Sequence, residues 1–117
     1  LLDKRHRLTR KADFDRVFAA ARPAHHELLS LRAVPGETEL PRVGIICGKR
    51  VGGAVVRNRA RRRLREAVRS LLPEVPQPWD ILLVIRPPAA SATVGQFVYA
   101  LKDLLRRRGL LVDAREE

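Results

Sequence analysis

The sequence predicts an α/β (α+β) sandwich on a single sheet, and two patterns carry that expectation. Three stretches place apolar residues at helical spacing, and three short apolar runs of strand type lie between them. The order reads helix, strands, helix, strand, helix. At 117 residues and 13.2 kDa the chain is one domain, residues 1–117, able to bury one modest core. A third observation concerns charge: Lys+Arg number 24 against 13 Asp+Glu, a formal +11 with a pI near 11.4. Such a charge repels itself unless an anionic partner neutralises it.

The opening residues 1–9 are basic and aperiodic, which fits either an extended arm or a frayed terminus. Thr9 is a candidate N-cap for a helix over 10–22, stopped by Pro23. Phe14, Val17, Phe18 and Ala21 take its i, i+3, i+4, i+7 positions, the spacing of a core stripe. Yet Phe14 and Phe18 are two of only five aromatics in the chain, one turn apart beside Arg10, Lys11 and Arg22. Rings next to cations also hold single-stranded nucleic acid, by base stacking and backbone neutralisation. Spacing alone leaves both readings open.

Residues 27–34 read as a strand, 35–41 as a hairpin loop and 42–47 as a second strand. The run 79–85 (WDILLVI) is almost continuously apolar, as expected of a strand buried on both faces, and Pro87-Pro88 ends it. Residues 73–78 carry three prolines and form the loop before it. A capping box of Thr93 and Gln96 starts the last helix, whose buried stripe is Val94, Phe97, Val98, Leu101, Leu104 and Leu105. Gly109 closes that helix after Arg106, Arg107 and Arg108. Residues 110–117 are left as a C-terminal tail.

The most informative stretch is 49–69, KRVGGAVVRNRARRRLREAVR, with nine basic residues and one acid, Glu66. On a helix over 55–72, Val56, Ala60, Leu64, Ala67, Val68 and Leu71 form a core-facing stripe. Opposite them Asn58, Arg62, Arg65 and Arg69 make a second line, flanked by Arg59 and Arg63. Arginine offers five donors in a planar fork that grips phosphate bidentately, so this wall suits a polyanion. A merely solvated helix face would mix charge signs at i, i+4 spacing. Gly52-Gly53 lets the chain turn tightly into the helix.

Other chemistries find little support. There are no paired carboxylates on a common face, no Ser/His/Asp or Cys/His arrangement and no phosphate-binding GxxxxGK[ST] loop. The lone Cys47 cannot form an internal disulfide, which fits a reducing, cytoplasmic compartment. His6, His25 and His26 lack companions at metal-ligand spacing, so no structural metal is expected. No apolar run has the length of a membrane span, and no signal peptide is visible.

Residues 49–69 resemble the signature of the bacterial ribonuclease P protein subunit. Lys49, Arg50, Val51, Gly52, Ala54, Val55, Arg57, Asn58, Arg59, Arg61, Arg62, Leu64, Arg65 and Glu66 carry the match. Arg7, Leu8, Asp13, Phe14, Val17 and Phe18 match a second motif, which runs from the arm into the first helix. The resemblance implies the order αβββαβα and a four-stranded sheet with a left-handed βαβ crossover around the Arg-Asn-Arg helix. It also implies a likeness to the second domain of ribosomal protein S5, and a short extra strand near 21–24.

Functionally, the resemblance implies an RNA-binding protein whose partners are a catalytic RNA subunit and precursor tRNA, with no membrane and no obligate protein partner. Cleavage would mature the tRNA 5′ end, using Mg2+ bound mainly by the RNA subunit. By carry-over, Lys49, Arg50, Arg57, Asn58, Arg59, Arg61, Arg62, Arg65 and Arg69 face that RNA. Arg10, Lys11, Phe14, Phe18, Leu29 and Leu31 line a cleft for the single-stranded 5′ leader. Three departures from the family pattern stand out: Gly53 for asparagine, Gly48 for serine or threonine, and Leu31 for an aromatic on the cleft strand. The rival readings are a small ribosomal protein without enzymatic activity and a protein-only nuclease. The latter needs acidic metal ligands, for which Asp13 and Asp80 are the candidates.

Overall fold

The computed structural model describes residues 2–111. The elements are α1 (Lys11–Ala20), β1 (Ala24–His25), β2 (Leu29–Pro35), β3 (Arg42–Cys47), α2 (Ala54–Leu71), β4 (Trp79–Ile85) and α3 (Val94–Arg107). Short 3-10 turns cover Lys4–His6, Lys49–Val51, Leu72–Glu74 and Pro87–Ser91. The order αβββαβα is the one expected. Of the expected tail, residues 112–117 lie outside the described residues.

The sheet runs β1-β2-β4-β3, with β2 antiparallel and β3 parallel to β4. The hairpin expected between β2 and β3 is therefore wrong. β4, the most continuously apolar run, takes the central place between them, and residues 36–41 arch across its end. Gly36 N–H donates to Pro78 O at 2.7 Å, and a Cβ there would lie 2.2 Å from the same oxygen. Only glycine fits that crossing. β3 returns to its parallel neighbour β4 through α2, as a βαβ crossover.

Strand alternation divides the side chains between two faces. Leu29, Leu31, Val43, Ile81, Leu83 and Ile85 join the main core with α2 and α3. The other face carries Leu82, with Val34 and Ile46 beside it, against Val17 and Phe14 of α1 and Leu8 of the arm. The molecule thus has three layers: α1, sheet, and the α2–α3 pair.

α2 buries Ala60, Leu64, Ala67, Val68 and Leu71 as its spacing requires, with Val56 half-buried. α3 buries Phe97, Leu101, Leu104 and Leu105, with Val98 half-buried, but Val94, the first residue of the helix, is exposed. Its capping box is present, and Gly109 (φ 73°) ends it with Leu110 N–H donating to Leu105 O at 2.8 Å. α1 begins one residue later than expected, with Arg10 at the N-cap and no side-chain cap, so Thr9 does not cap it.

The arm is docked and not frayed. Leu2 and Leu8 are buried, Arg7 pairs with Val43, and His6 Nδ1 lies 2.7 Å from Pro41 O. The short strand β1 sits at 24–25 and not 21–24. Arg107 and Arg108 hold it, donating to His25 O at 2.5 Å and Arg22 O at 2.7 Å.

Candidate nucleic-acid interface

The α2 arginines do not form one uniform wall. Arg59 and Arg63 lean over the turn Pro87–Ser91 and its exit, donating to Ala90 O at 3.4 Å and Ala92 O at 3.1 Å. Arg61 is held by Asn58 Oδ1 at 2.8 Å, and Arg69 pairs with Glu66 at 3.0 Å. Arg62 and Arg65 are exposed and make no hydrogen bond or ion pair among the described residues. The half-buried Arg57 has an Nε with no partner among them. α2 therefore presents Arg57, Arg61 and Arg65 in one row and Asn58, Arg62, Arg65 and Arg69 in another, with Arg59 and Arg63 partly structural.

Lys49 and Arg50 stand apart from these rows. They rim an open groove on the α1 face of the sheet, with Ser30, Ile46, Val84 and Arg86 also lining it. α1 spans only ten residues and leaves this strip of sheet uncovered. Phe18 flanks the strip, 53% exposed, with the Arg32 guanidinium 3.9 Å from its ring centroid. That is cation–π distance, and Arg32 Nε also donates to Ala21 O at 3.2 Å, which fixes it under the ring. Phe18 is thus not core. Phe14 is, in large part: its ring presses on Gly44, where a Cβ would lie 2.7 Å from Cζ. Arg10 and Lys11 are exposed at the start of α1, Lys11 paired with Asp15 at 2.6 Å.

Leu29 and Leu31 do not line this cleft. Both are fully buried on the opposite face, against α2 and α3. The cleft face of β2 carries Ser30, Arg32 and Val34, one position out of step. Leu31 therefore cannot weaken base stacking in the cleft, since it never reaches it. Neither Gly48 nor Gly53 has any atom near where a Cβ would stand, so both departures lie in open space. Reading by resemblance missed Ser30, Arg32, Val84 and Arg86. Arg32, the one charge inside an otherwise uncharged strand, was the available signal.

Asp13, Glu37 and Asp80 bring carboxylate oxygens within 4.8 Å of one another. Arginine already occupies that space. Arg42 grips the fully buried Asp80 through Nε at 3.0 Å and Nη2 at 2.9 Å, and Arg16 Nη2 binds its second oxygen. Arg16 also reaches Asp13 at 3.4 Å and Glu37 at 3.5 Å. Burial alone would raise the Asp80 carboxyl, but the hydrogen bonds from Arg42 and Arg16 outweigh it and hold it below the ordinary range. A cluster neutralised by two guanidiniums does not fit a metal ion, so Asp13 and Asp80 are not nuclease ligands. Burial pushes the Cys47 thiol up, away from the reactive thiolate. Among the described residues no helix is long and apolar enough to cross a membrane.

Known proteins similar to this chain share its family and its fold. A family profile described as ribonuclease P matches residues 2–109. The ribonuclease P protein component of Dehalococcoides mccartyi strain 195 is 40% identical over 111 residues, covering 95% of this chain and 91% of the relative. That of Chloroflexus aggregans is 43% identical over 112 residues, covering 95% and 83%. Among solved structures, the RNase P protein of Staphylococcus aureus superposes with a TM-score of 0.78 at 27% identity, covering 95% of each chain. The RNase P protein of Thermotoga maritima shares the fold, with a TM-score of 0.76 at 24% identity over 86% of this chain and 96% of that one.

Proposed function

This chain belongs to the ribonuclease P protein family, and from that premise we propose how its surfaces divide the work between two RNAs. The chain acts in precursor tRNA processing as the protein partner of a catalytic RNA, and the rival reading as a ribosomal protein falls away. The α2 rows, above all Arg62 and Arg65, bind the RNA subunit. The uncovered strip of sheet beside Phe18, with Ser30, Arg32, Val84, Arg86, Lys49 and Arg50, takes the single-stranded leader. Phosphodiester cleavage belongs to the RNA and to Mg2+ held there. Metal ions in such chemistry activate water and neutralise developing charge. This chain supplies cationic groups and a stacking surface, and the acidic cluster at Asp13, Glu37 and Asp80 is closed by arginine.

One observation carries the assignment: an exposed Phe18 seated on Arg32, on the opposite side of the sheet from α2. An exposed ring over a cation is a ready platform for a base. Stacking is worth about 1–3 kcal/mol per base, so Phe18→Ala should weaken precursor tRNA binding about five- to a hundredfold. Mature tRNA, which has no leader, should bind as before. Holoenzyme affinities for the two tRNAs test this, and equal losses for both would overturn it. Because the ring is exposed, the folded state should lose under about 1 kcal/mol, the worth of an exposed cation–π contact.

A further inference from the structure

β3 has a stretch of open edge. Leu8 N–H donates to Val43 O at 3.0 Å, so the backbone groups of Val43 point away from β4. In a parallel ladder each residue turns both its N–H and its C=O to one side, and the sides alternate. Ile45 therefore points outward like Val43, while Arg42, Gly44 and Ile46 pair with β4. The arm meets this edge at the single bridge Arg7–Val43. Beyond it the Ile45 N–H and C=O have no partner among the described residues.

Two walls rise beside that edge. Leu8, Thr9, Phe14, Val43, Ile45 and Arg65 all line one hollow. Arg65 ends the row Arg57, Arg61, Arg65 on α2, and none of these three is in an ion pair among the described residues. Arg57 Nε is buried without a partner, and Arg57 and Arg61 lie close enough to Cys47 for their charge to oppose the effect of burial on its thiol.

An unpaired edge is a template for anything that presents alternating donors and acceptors. A peptide strand would meet three cations here, whereas an unpaired RNA segment brings phosphates to them and base edges to the backbone. We propose that the outward edge of β3 at Ile45 docks an unpaired segment of the RNA subunit. Ile45 N–H and C=O hydrogen-bond a base, and Arg57, Arg61 and Arg65 hold the adjoining phosphates. The choice of the RNA subunit over the leader rests on the assignment of α2 to that RNA.

Hydrogen exchange on the full chain tests this, in protein alone, with the RNA subunit, and after adding precursor or mature tRNA. The Ile45 amide should exchange fast alone, slow at least about tenfold with the RNA subunit, as expected of a newly paired edge amide, and not change further with tRNA. Fast exchange in every state overturns the docking edge, and loss of assembly in Arg62→Ala would then show the α2 assignment standing without it. Slowing only with precursor assigns the edge to the leader, and slowing that grows with protein concentration assigns it to a second copy. Either result overturns the proposal.

Ile45→Pro gives a second reading, since it deletes an N–H that the β4 ladder does not use. Loss of one hydrogen bond should cost about two- to tenfold in RNA-subunit affinity relative to Ile45→Val. Equal affinities overturn the proposal. If Ile45→Pro does not fold, the exchange data decide alone.

Discussion

On one face of the sheet, α2 and α3 cover Leu31, Val43, Ile81 and Leu83 with a continuous apolar core. On the other, α1 contributes Val17 as its one fully buried apolar side chain, with Phe14 half-buried beside it, and the ion cluster around Asp80 also ties it to the sheet. The difference is instructive. An apolar core gains by sealing every ångström from water, so it leaves no room for a ligand. A short helix that covers only part of the sheet can be fixed in place while the sheet beside it stays open. The clamp lies by Asp13, Arg16, Arg42 and Asp80, and the uncovered strip lies beyond Phe18.

The largest expected break in this comparison is at the clamp. Asp80→Ala leaves Arg16 and Arg42 with only the longer contacts to Asp13 in common, and should cost about 3–5 kcal/mol of unfolding free energy. Leu83→Ala on the sealed face should cost about 2–5 kcal/mol. The two losses differ in their pH response. Asp80 is held below its ordinary 3.8 in the folded chain, so the unfolded chain takes up the proton first as pH falls. The clamp's contribution is complete above that value and drains away as pH drops through the lower, folded one. Urea unfolding of Leu83→Ala should keep this acid sensitivity and that of Asp80→Asn should lose it; equal acid slopes would show that the clamp contributes nothing.

A smaller effect sharpens the division within α2. Arg62→Ala and Arg65→Ala should each flatten the log–log dependence of RNA-subunit affinity on salt by about one unit, because each removes one neutralised phosphate. Arg59→Ala should change that slope less and lower the melting temperature more, since its guanidinium is already turned to Ala90 O. Identical slopes for all three would restore the uniform wall. Smallest of all, sulfate should raise the melting temperature of the free protein beyond chloride at equal ionic strength, by binding the unpaired arginines of the native state.

Much of this was legible because periodicity and capping are local. β3 and β4 begin and end where their apolar runs do, and the α2 stripe and the Thr93 box are where spacing puts them. The site was legible in part. Arg62 and Arg65 are as exposed as the helix pattern demands, and Phe18 stands out as the helix allows. The errors arose where a side chain had two places to go. The resemblance put Leu29 and Leu31 in the cleft, but β2 alternates Leu29, Leu31 and Ala33 with Ser30, Arg32 and Val34, and nothing local says which parity faces α1.

By itself, then, the sequence determined the three helices, the strands β2, β3 and β4, the family and the density of cations on α2, since each depends on residues a few positions apart. Tertiary structure alone decided that β4 separates β2 from β3, because strand neighbours are chosen by competition for the most apolar position across distant segments. It alone placed Asp80 between Arg16 and Arg42, 64 and 38 residues away. A buried charge persists only where its counter-charges converge in space, and no spacing along the chain encodes that convergence.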